Sequence, residues 1–232
     1  MFWSLALILF PILCAAAAAK INERRTESLF TIAVAALTFL GSVLNLYLVR
    51  SGGAHTWGIA SWGILGSILR LDSLSALFSL FSSFVWLAAG IYMHSYMRYE
   101  EQIAPFYTYY LITLGATQGI FLAGNFIVLL LFFELMSVTS TVWVRYHENP
   151  EAEQAGDLYH HLSVAAGVFM GTAVILLYLA GVRPQVGLAA ISPTRTLPFI
   201  WAVLFLIAAF GIKAGMFPLH IWLPKAHPVA PT

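Results

Sequence analysis

Long runs of apolar residues, separated by short polar stretches, dominate the pattern along this chain. A bilayer core of about 30 Å is crossed by roughly 20 helical residues, and apolar runs of about that length recur seven times. The runs cover residues 2–19, 29–49, 74–97, 105–123, 126–146, 158–182 and 197–216. The pattern predicts an all-α polytopic membrane protein with about seven transmembrane helices in a single domain, residues 1–232.

The composition agrees with a membrane protein and excludes several function classes. Of the 232 residues, 60% are hydrophobic and only 9% are charged, which is too little charge to cover a soluble domain. The net charge of +1 lacks the basic excess of nucleic-acid-binding proteins. The one cysteine, Cys14, lies in an apolar run, and the sequence contains no glycine-rich phosphate loop. We therefore expect no bound metal or cofactor.

The distribution of Lys and Arg between the apolar runs predicts the orientation in the membrane. One side carries six basic residues and the other four, so the first side is predicted to be cytoplasmic and the N-terminus to face outward. The first run could instead be a signal peptide, but no Lys or Arg precedes it, and we interpret it as a helix. The larger group is Lys20, Arg24, Arg25, Arg98, Arg145 and Lys225, and the smaller is Arg50, Arg70, Arg183 and Arg195.

Two charged residues fall inside apolar runs. Glu134 lies eight residues into the fifth run and Lys213 sixteen residues into the last, which corresponds to depths of about 12 Å and 24 Å. A charge at membrane depth is costly and indicates function by default. The alternative is a structural ion pair that locks two helices together, although desolvation can cancel its Coulomb energy. In the functional interpretation, the carboxylate and the amine exchange a proton as their hydration changes.

Other polar residues support either interpretation. Hydroxyl and amide groups in the fourth and fifth runs could hold ordered water for proton transfer or form hydrogen bonds between helices. Asp72 precedes the third run and is predicted to cap its helix. The stretch 145–157 is predicted to be a solvated loop rather than a metal site. The residues of the fourth and fifth runs are Gln118, Asn125, Ser137, Thr139, Ser140 and Thr141.

Three motifs carry a resemblance to a known family. They are Arg70-Leu-Asp72-Ser-Leu-Ser-Ala-Leu-Phe78, the run from Gly-Asn125 to Phe133-Glu134-Leu-Met136-Ser137, and Lys213-Ala-Gly-Met-Phe-Pro218-Leu-His220-Ile-Trp222-Leu-Pro224 with its continuation to Thr232. With these motifs the chain resembles the antiporter-like subunits of respiratory complex I. Membrane-bound nickel–iron hydrogenases, formate hydrogenlyase and multi-subunit Na⁺/H⁺ antiporters share these subunits. The last motif is most similar to the hydrogenase and formate-hydrogenlyase branch.

The resemblance implies roles for individual residues. Glu134 corresponds to the glutamate of the fifth helix and Lys213 to the lysine of a broken seventh helix, the pair that gates proton movement in this family. Pro218 fits a helix break near Lys213, although it would end a helix even if the lysine had no role. His220 and His227 could relay protons or order the turn after the helix. Asp72 and Ser137 are assigned supporting roles.

The resemblance also implies a place in a larger assembly. The chain corresponds to the N-terminal half of an antiporter-like subunit, and residues 105–232 to an incomplete first inverted repeat. We expect a non-catalytic, proton-translocating subunit of an NADH:quinone oxidoreductase or hydrogenase-type complex in a prokaryotic cytoplasmic membrane. Its partners would be other membrane subunits, among them a separate chain that supplies the later helices if the subunit is split.

Two alternatives stay open. The chain could be a non-conducting assembly or scaffold fragment, whether a truncated product or a piece of a longer subunit. It could also be a subunit of a Na⁺/H⁺ antiporter. No cluster of carboxylates occurs at membrane depth, and because Na⁺ prefers several oxygen ligands, H⁺ is the expected ion.

Overall fold

The computed structural model describes residues 2–58, 67–97, 106–182, 186 and 196–230. Within these residues the chain forms eight helices and one two-stranded sheet. It divides into two compact units, of which unit 1 comprises Met1–Ile59 and Ser67–Ala123, and unit 2 comprises Ala60–Gly66 and Gly124–Thr232. The elements are α1 (Phe2–Ala18), α2 (Arg24–Gly52), β1 (His55–Gly58), β2 (Ser67–Leu71), α3 (Ser73–Tyr96), α4 (Phe106–Leu122), α5 (Phe126–Val144), α6 (Pro150–Leu179), α7 (Leu197–Lys213) and α8 (Leu223–Ala226).

Unit 1 is built around α4, which packs against α1, α2 and α3. Most residues of α4 are buried, including its polar Thr113 and Gln118. A helix that is enclosed by other helices can carry polar groups, since neighbouring helices supply the hydrogen bonds that lipid cannot. This explains why α4 is less uniformly apolar than a lipid-facing helix.

A short antiparallel hairpin, β1 with β2, precedes α3 in unit 1. Asp72 follows β2 directly and accepts a hydrogen bond from the Ser75 backbone N–H at 2.8 Å, while the Ser75 hydroxyl receives the Asp72 N–H at 2.7 Å. This reciprocal capping box confirms the prediction that Asp72 caps the third helix. Arg70 Nε donates to the same carboxylate at 2.9 Å. The all-α prediction missed the hairpin, because two short strands between apolar runs leave no long periodic signal.

In unit 2, α6 is the central helix and packs against α5, α7 and α8. It begins at Pro150, eight residues before the predicted apolar run 158–182. The prediction that residues 145–157 form a solvated loop is therefore wrong for the second half of that stretch. Asn149 caps the helix by accepting from the Ala152 N–H at 2.8 Å, and Pro150 suits the first helical position. The acidic residues of this first turn are exposed. The turn therefore lies outside the apolar part of the helix that the hydropathy pattern predicts.

The lengths and composition of the helices establish a polytopic membrane protein. Among the described residues, α2, α3, α5 and α6 are long and apolar enough to cross a bilayer. Helices α1, α4 and α7 each have 17 residues, somewhat fewer than the roughly 20 that span the hydrocarbon without tilt or thinning. Four spans are thus clear from length and hydropathy. The basic residues Arg98, Arg183 and Arg195, used to predict the orientation, lie outside the described residues.

Candidate functional site

Lys213 is placed by the turn that ends α7. Gly215 adopts φ +64, a conformation that is unstrained only without a side chain. The Met216 N–H donates to the Gly211 carbonyl at 2.9 Å, and the Gly215 N–H donates to the Ile212 carbonyl at 3.3 Å. These two bonds form a Schellman motif. The helix therefore ends through Gly215 and not through Pro218, and Lys213 occupies its last turn.

The Lys213 ammonium is enclosed by groups from α5 and α6. Its Nζ donates a hydrogen bond to Ser163 Oγ at 2.7 Å. It also lies 5.3 Å from the centroid of the Phe133 ring and 4.9 Å from that of Tyr159. Both distances permit cation–π attraction, which strengthens when the cation is desolvated. One hydroxyl and two aromatic rings thus replace part of the hydration of this charge.

The Glu134 carboxylate lies against Gly167 of α6. A Cβ atom added at Gly167 would overlap this carboxylate, so the absence of a side chain there makes room for the acid. Glu134 Oε1 is buried and has no hydrogen-bond partner among the described residues. Lys213 and His160 both lie within electrostatic range of Glu134. A buried oxygen in this setting is satisfied either by ordered water or by its own proton.

The two charged residues do not form a direct ion pair. No Glu134–Lys213 contact within 4.0 Å occurs in the described part of the chain. Their contact points on α6, Ser163 and Gly167, are four residues apart, which puts them on one face about 6 Å from each other. The structure therefore brings the two predicted residues to the same face of α6, one helical turn apart.

Tyr159 and Trp222 complete the surroundings of Lys213. The Tyr159 and Ser140 hydroxyls are 2.7 Å apart, which links α6 to α5. The Trp222 ring contacts the Tyr159 ring edge to face with 5.0 Å between centroids, and Trp222 Nε1 donates to the Ile212 carbonyl at 2.7 Å. The segment after α7 thus folds back and supplies a second donor to a carbonyl in the last turn of the helix, which also accepts from the Gly215 N–H.

Sequence reasoning missed Tyr159, Ser163 and Gly167. A signal was available, because these three residues recur every four positions and mark one narrow, small or polar face of α6. By hydropathy alone, the run 158–182 is an ordinary span. The polar face of α6 can be recognised as part of a site only once α5 and α7 are known to pack against this helix.

The hydroxyl groups predicted as supporting residues mostly bond their own helix. Ser137 donates to the Phe133 carbonyl at 2.7 Å, and Thr139 and Thr141 donate to carbonyls four residues earlier. Ser140 does the same and also reaches Tyr159 on another helix. Back-bonding of this kind satisfies a hydroxyl in lipid without a partner helix, so the proximity of Ser137 to Glu134 in sequence is not matched by a hydrogen bond between them in the described structure.

The two amide residues of that group have structural partners. Asn125 caps α5 by accepting from the Val128 N–H at 2.8 Å. Gln118 belongs to unit 1, where its Nε2 donates to the Ser79 carbonyl at 3.4 Å. Neither contact involves the two charged residues.

The two histidines after α7 differ in environment. His220 lies in the turn, with its ring 5.6 Å from that of Phe217, and its Nδ1 is buried without a hydrogen-bond partner among the described residues. His227 follows α8 and is exposed. Asp72 belongs to unit 1, where its carboxylate accepts hydrogen bonds from Arg70 and Ser75. Within the described ranges no group of three or more His, Cys, Asp or Glu side chains could hold a metal ion.

Comparison with known proteins gives a consistent picture. Residues 123–232 match the family described as NADH:quinone oxidoreductase/Mrp antiporter, transmembrane. The chain is 32% identical over 238 residues to a probable K⁺/H⁺ antiporter subunit from Rhizobium meliloti (strain 1021), a match that covers 96% of this chain and 43% of the relative. It is 33% identical over 171 residues to hydrogenase-4 component B of Escherichia coli (strain K12), with 71% and 25% covered.

Solved structures show the same fold. The match to a chain of the Mrp complex from Dietzia sp. DQ12-45-1b has a TM-score of 0.82 at 21% identity and covers 99% of this chain and 44% of the other. The match to a chain of the membrane-bound sulfane sulfur reductase, an archaeal respiratory membrane complex, has a TM-score of 0.73 at 21% identity, with 98% and 48% covered. The chain spans less than half the length of each of these proteins.

Proposed function

This chain belongs to the family of antiporter-like membrane subunits of NADH:quinone oxidoreductases and Mrp antiporters, and we propose that it moves protons through the cluster of Glu134, Lys213, Ser163 and Tyr159. The observation that carries the proposal is the separation of the two charges. The Lys213 ammonium donates to a neutral hydroxyl, while one turn away the Glu134 carboxylate keeps a buried oxygen without a donor among the described residues. Each residue can therefore change its protonation state without first breaking an ion pair.

The geometry supports a proton exchange between the two residues. In one state Glu134 is a carboxylate and Lys213 an ammonium; in the other, the proton has moved from the lysine nitrogen to the carboxylate, which leaves an amine and a carboxylic acid. The two side chains contact α6 at Ser163 and Gly167, one helical turn apart, and an ordered water or a swing of the flexible lysine side chain would connect them. A third charge in a neighbouring subunit would shift the balance between these states.

We propose H⁺ as the transported ion at this cluster. A site for Na⁺ or K⁺ needs several oxygen ligands, whereas Glu134 is the one carboxylate that the described residues bring to this cluster, and it shares the cluster with the positive Lys213. Two of the relatives bear names of K⁺/H⁺ antiporter subunits, so an exchanged cation is the second candidate. Proton movement is common to both functions.

The proposal includes membrane partners and no cofactor of its own. Relatives are subunits of multi-subunit membrane assemblies, and we propose that this chain likewise works beside other membrane subunits, with any electron transfer occurring in them. We interpret residues 105–232 as an incomplete first copy of an inverted repeat. The assembly would be of the complex I, hydrogenase or antiporter type and lie in a prokaryotic cytoplasmic membrane.

We further propose seven membrane spans with the N-terminus outside, which counts α1, α4 and α7 as spans. The exposed positions Gly53 and Glu151 then lie on opposite sides of the membrane. Single cysteines placed there, with Cys14 replaced by Ala, should react with an impermeant thiol reagent from outside at Gly53 only. Equal labelling of both positions from outside would contradict this topology.

The proton pathway is tested by replacing each charge within the complete assembly. Glu134→Gln keeps the volume of the side chain and loses its titration, and Lys213→Met does the same for the lysine. We expect both variants to assemble and to lose most proton transport. Lys225→Met is the matched control, because this lysine is exposed on the segment after α7, and its transport should be normal.

The double variant separates transport from a structural role. If the two charges only stabilise the fold, a single substitution strands a buried charge at a cost of about 3–5 kcal/mol, and the double substitution restores stability and transport. Normal transport in the assembled single variants would eliminate the proposed pathway and favour a scaffold role.

A further inference from the structure

Two aromatic rings lie against the Lys213 ammonium, one from α5 and one from α6. The centroid of the Phe133 ring on α5 is 5.3 Å from Lys213 Nζ, and that of the Tyr159 ring on α6 is 4.9 Å away. Cation–π attraction acts within about 6 Å of a ring centroid and grows when the cation is desolvated. Both rings therefore attract the lysine while it carries its positive charge.

Each ring is held in place by a contact other than Lys213. Phe133 is almost fully buried, and its ring meets the Phe210 ring of α7 edge to face, with 6.1 Å between centroids. Tyr159 is also buried, and its hydroxyl lies 2.7 Å from that of Ser140. The two rings are thus oriented by their own neighbours, as the groups of a pre-organised site must be.

Lys213 donates to the weaker of the two polar partners near it. Its Nζ donates to Ser163 Oγ at 2.7 Å, whereas the Glu134 carboxylate lies beside Gly167, one helical turn further along α6. A carboxylate is a stronger partner for an ammonium than a neutral hydroxyl is. The attraction of the two rings adds to that of the hydroxyl and so opposes collapse of the lysine onto Glu134.

We propose that Phe133 and Tyr159 form an aromatic cage that positions Lys213 according to its charge. This inference rests on the proposed proton exchange between Lys213 and Glu134 and adds a control to it. As an ammonium, the lysine is held against Ser163 and apart from the carboxylate. Once its proton has passed to Glu134 through ordered water, the neutral amine is no longer attracted by the ring faces. It is then free to leave the cage and to take its next proton from another donor.

Stepwise fluorination of the Phe133 ring tests the cage. Fluorine withdraws electron density from the ring face and weakens its attraction for a cation, while the volume of the side chain changes little. Phe133 is the ring to alter, because it has no group that could itself carry a proton. With one, two and three fluorine atoms on this ring, we expect proton transport by the reconstituted assembly to fall progressively, about tenfold over the series. The reason is that a lysine released from the cage pairs with Glu134.

The matched control is the same series at Phe169 of α6. Its ring packs against the Phe205 ring with 5.6 Å between centroids, and Phe205 lies eight residues before Lys213, about 12 Å along α7. Fluorination there should leave transport unchanged. A packing defect would lower transport equally in both series or independently of the number of fluorine atoms. Such a result, or equal transport across the Phe133 series, would overturn the proposal.

The position of the lysine is measured separately, by nuclear magnetic resonance of the purified full chain in lipid, with ¹⁵N in the lysine side chains. The chain has three lysines, Lys20, Lys213 and Lys225, and replacing the first and the last with Arg leaves a single signal. We expect the ring currents to shift the ammonium protons of Lys213 upfield, and this shift to decrease across the fluorinated Phe133 series.

The two measurements distinguish the cage from the proton pathway. Loss of transport in Glu134→Gln, together with unaltered transport and an unaltered lysine signal across the Phe133 series, contradicts the cage and leaves the pathway intact. Normal transport in Glu134→Gln contradicts the pathway. In that case a lysine signal that follows the number of fluorine atoms still supports the cage, and a signal that does not follow it overturns the cage as well.

Discussion

Each unit buries a cluster of polar residues among those that the structure describes, and the two clusters differ in charge and in how completely they are hydrogen-bonded. In unit 1, the Ser83 hydroxyl donates to Ser42 Oγ at 3.0 Å and the Ser79 hydroxyl donates to Gln118 Oε1 at 2.5 Å. All four side chains are almost fully buried, neutral and mutually hydrogen-bonded. In unit 2, the cluster around Lys213 holds two charges, and Glu134 Oε1 has no partner among the described residues.

This difference in charge and hydrogen bonding distinguishes a cluster suited to holding helices together from one suited to proton transport. Neutral groups in lipid bond one another across helices and stabilise packing by modest amounts. These hydroxyl and amide groups do not titrate near neutral pH, so the charge of the cluster in unit 1 does not change. A carboxylate and an ammonium cost far more to bury, and a cluster that leaves an acceptor unfilled is poorly suited to holding helices together. The cluster in unit 2 is better suited to changing its protonation state.

Among substitutions that keep both charges, the largest effect on proton transport is expected from filling the space beside the Glu134 carboxylate. In Gly167→Ala the new methyl group overlaps the carboxylate. Because the overlapping atoms are the end of a flexible side chain, the strain of about 1–3 kcal/mol is relieved when the carboxylate moves. We expect assembly to survive and proton transport to fall about tenfold or more, as measured in proteoliposomes.

Gly171→Ala is the matched control for this change. It lies one turn further along α6, and among the described residues its added Cβ would meet Leu130 Cδ2 alone, at the ordinary contact distance of 3.9 Å. Alanine in place of glycine should stabilise the helix by up to about 1 kcal/mol and leave transport unchanged. Equal transport in the Gly167 and Gly171 variants would remove the distinction drawn between the two polar clusters.

Asp72 offers a second contrast, because it is a carboxylate with a structural task. Asp72→Ala removes the capping box of α3 and should lower the free energy of unfolding by about 0.5–2 kcal/mol, with normal transport per assembled complex. Asp72→Asn keeps a capping oxygen and should be milder. Denaturant titration of the detergent-solubilised chain measures both. A transport defect in the assembled Asp72→Asn variant would give this residue more than a structural role.

The pH dependence of Asp72 follows from its contacts. Burial acts to raise the pKa of this carboxyl, but the backbone hydrogen bond from Ser75 and the charge of Arg70 outweigh it, and the pKa lies below its ordinary value of 3.8. The carboxylate therefore stabilises the fold above that ordinary value, and this contribution is lost as the pH falls through the lower folded-state pKa. Asp72→Asn should abolish this acid-dependent loss.

The smallest effect on stability is expected from a substitution in the neutral cluster of unit 1. Gln118→Leu removes the bonds to Ser79 and should cost about 0.6 kcal/mol, the average for hydrogen bonds between membrane helices, and at most about 2 kcal/mol. Transport per assembled complex should remain normal. A loss of transport with normal stability would show that both polar clusters take part in conduction.

Much of the fold could be predicted from the sequence, because hydropathy directly reports which residues face lipid. The apolar run 126–146 corresponds closely to α5, and 74–97 to α3. The run 158–182 missed the start of α6, since the charged first turn projects beyond the apolar part and only the Asn149-Pro150 capping signal marks it. The hairpin before α3 was missed because its strands are short and only partly buried.

The site was predictable only in part. Glu134 and Lys213 stand out as charges in apolar runs, and the resemblance to antiporter-like subunits joined them. Their meeting on α6 could not be read from the chain, because it depends on how α5 and α7 pack against that helix. Tyr159 and Ser163 are common residues in membrane helices, and their significance lies in the distances to Lys213 Nζ.

The most direct test of proton transfer at the cluster is infrared difference spectroscopy of the reconstituted assembly, before and after a pH gradient is applied. We predict a carboxyl C=O band that changes with the gradient, is absent in Glu134→Gln, and persists in Glu151→Gln, whose side chain is exposed at the start of α6. The same band in the Glu134→Gln variant would contradict the assignment of a transferable proton to Glu134.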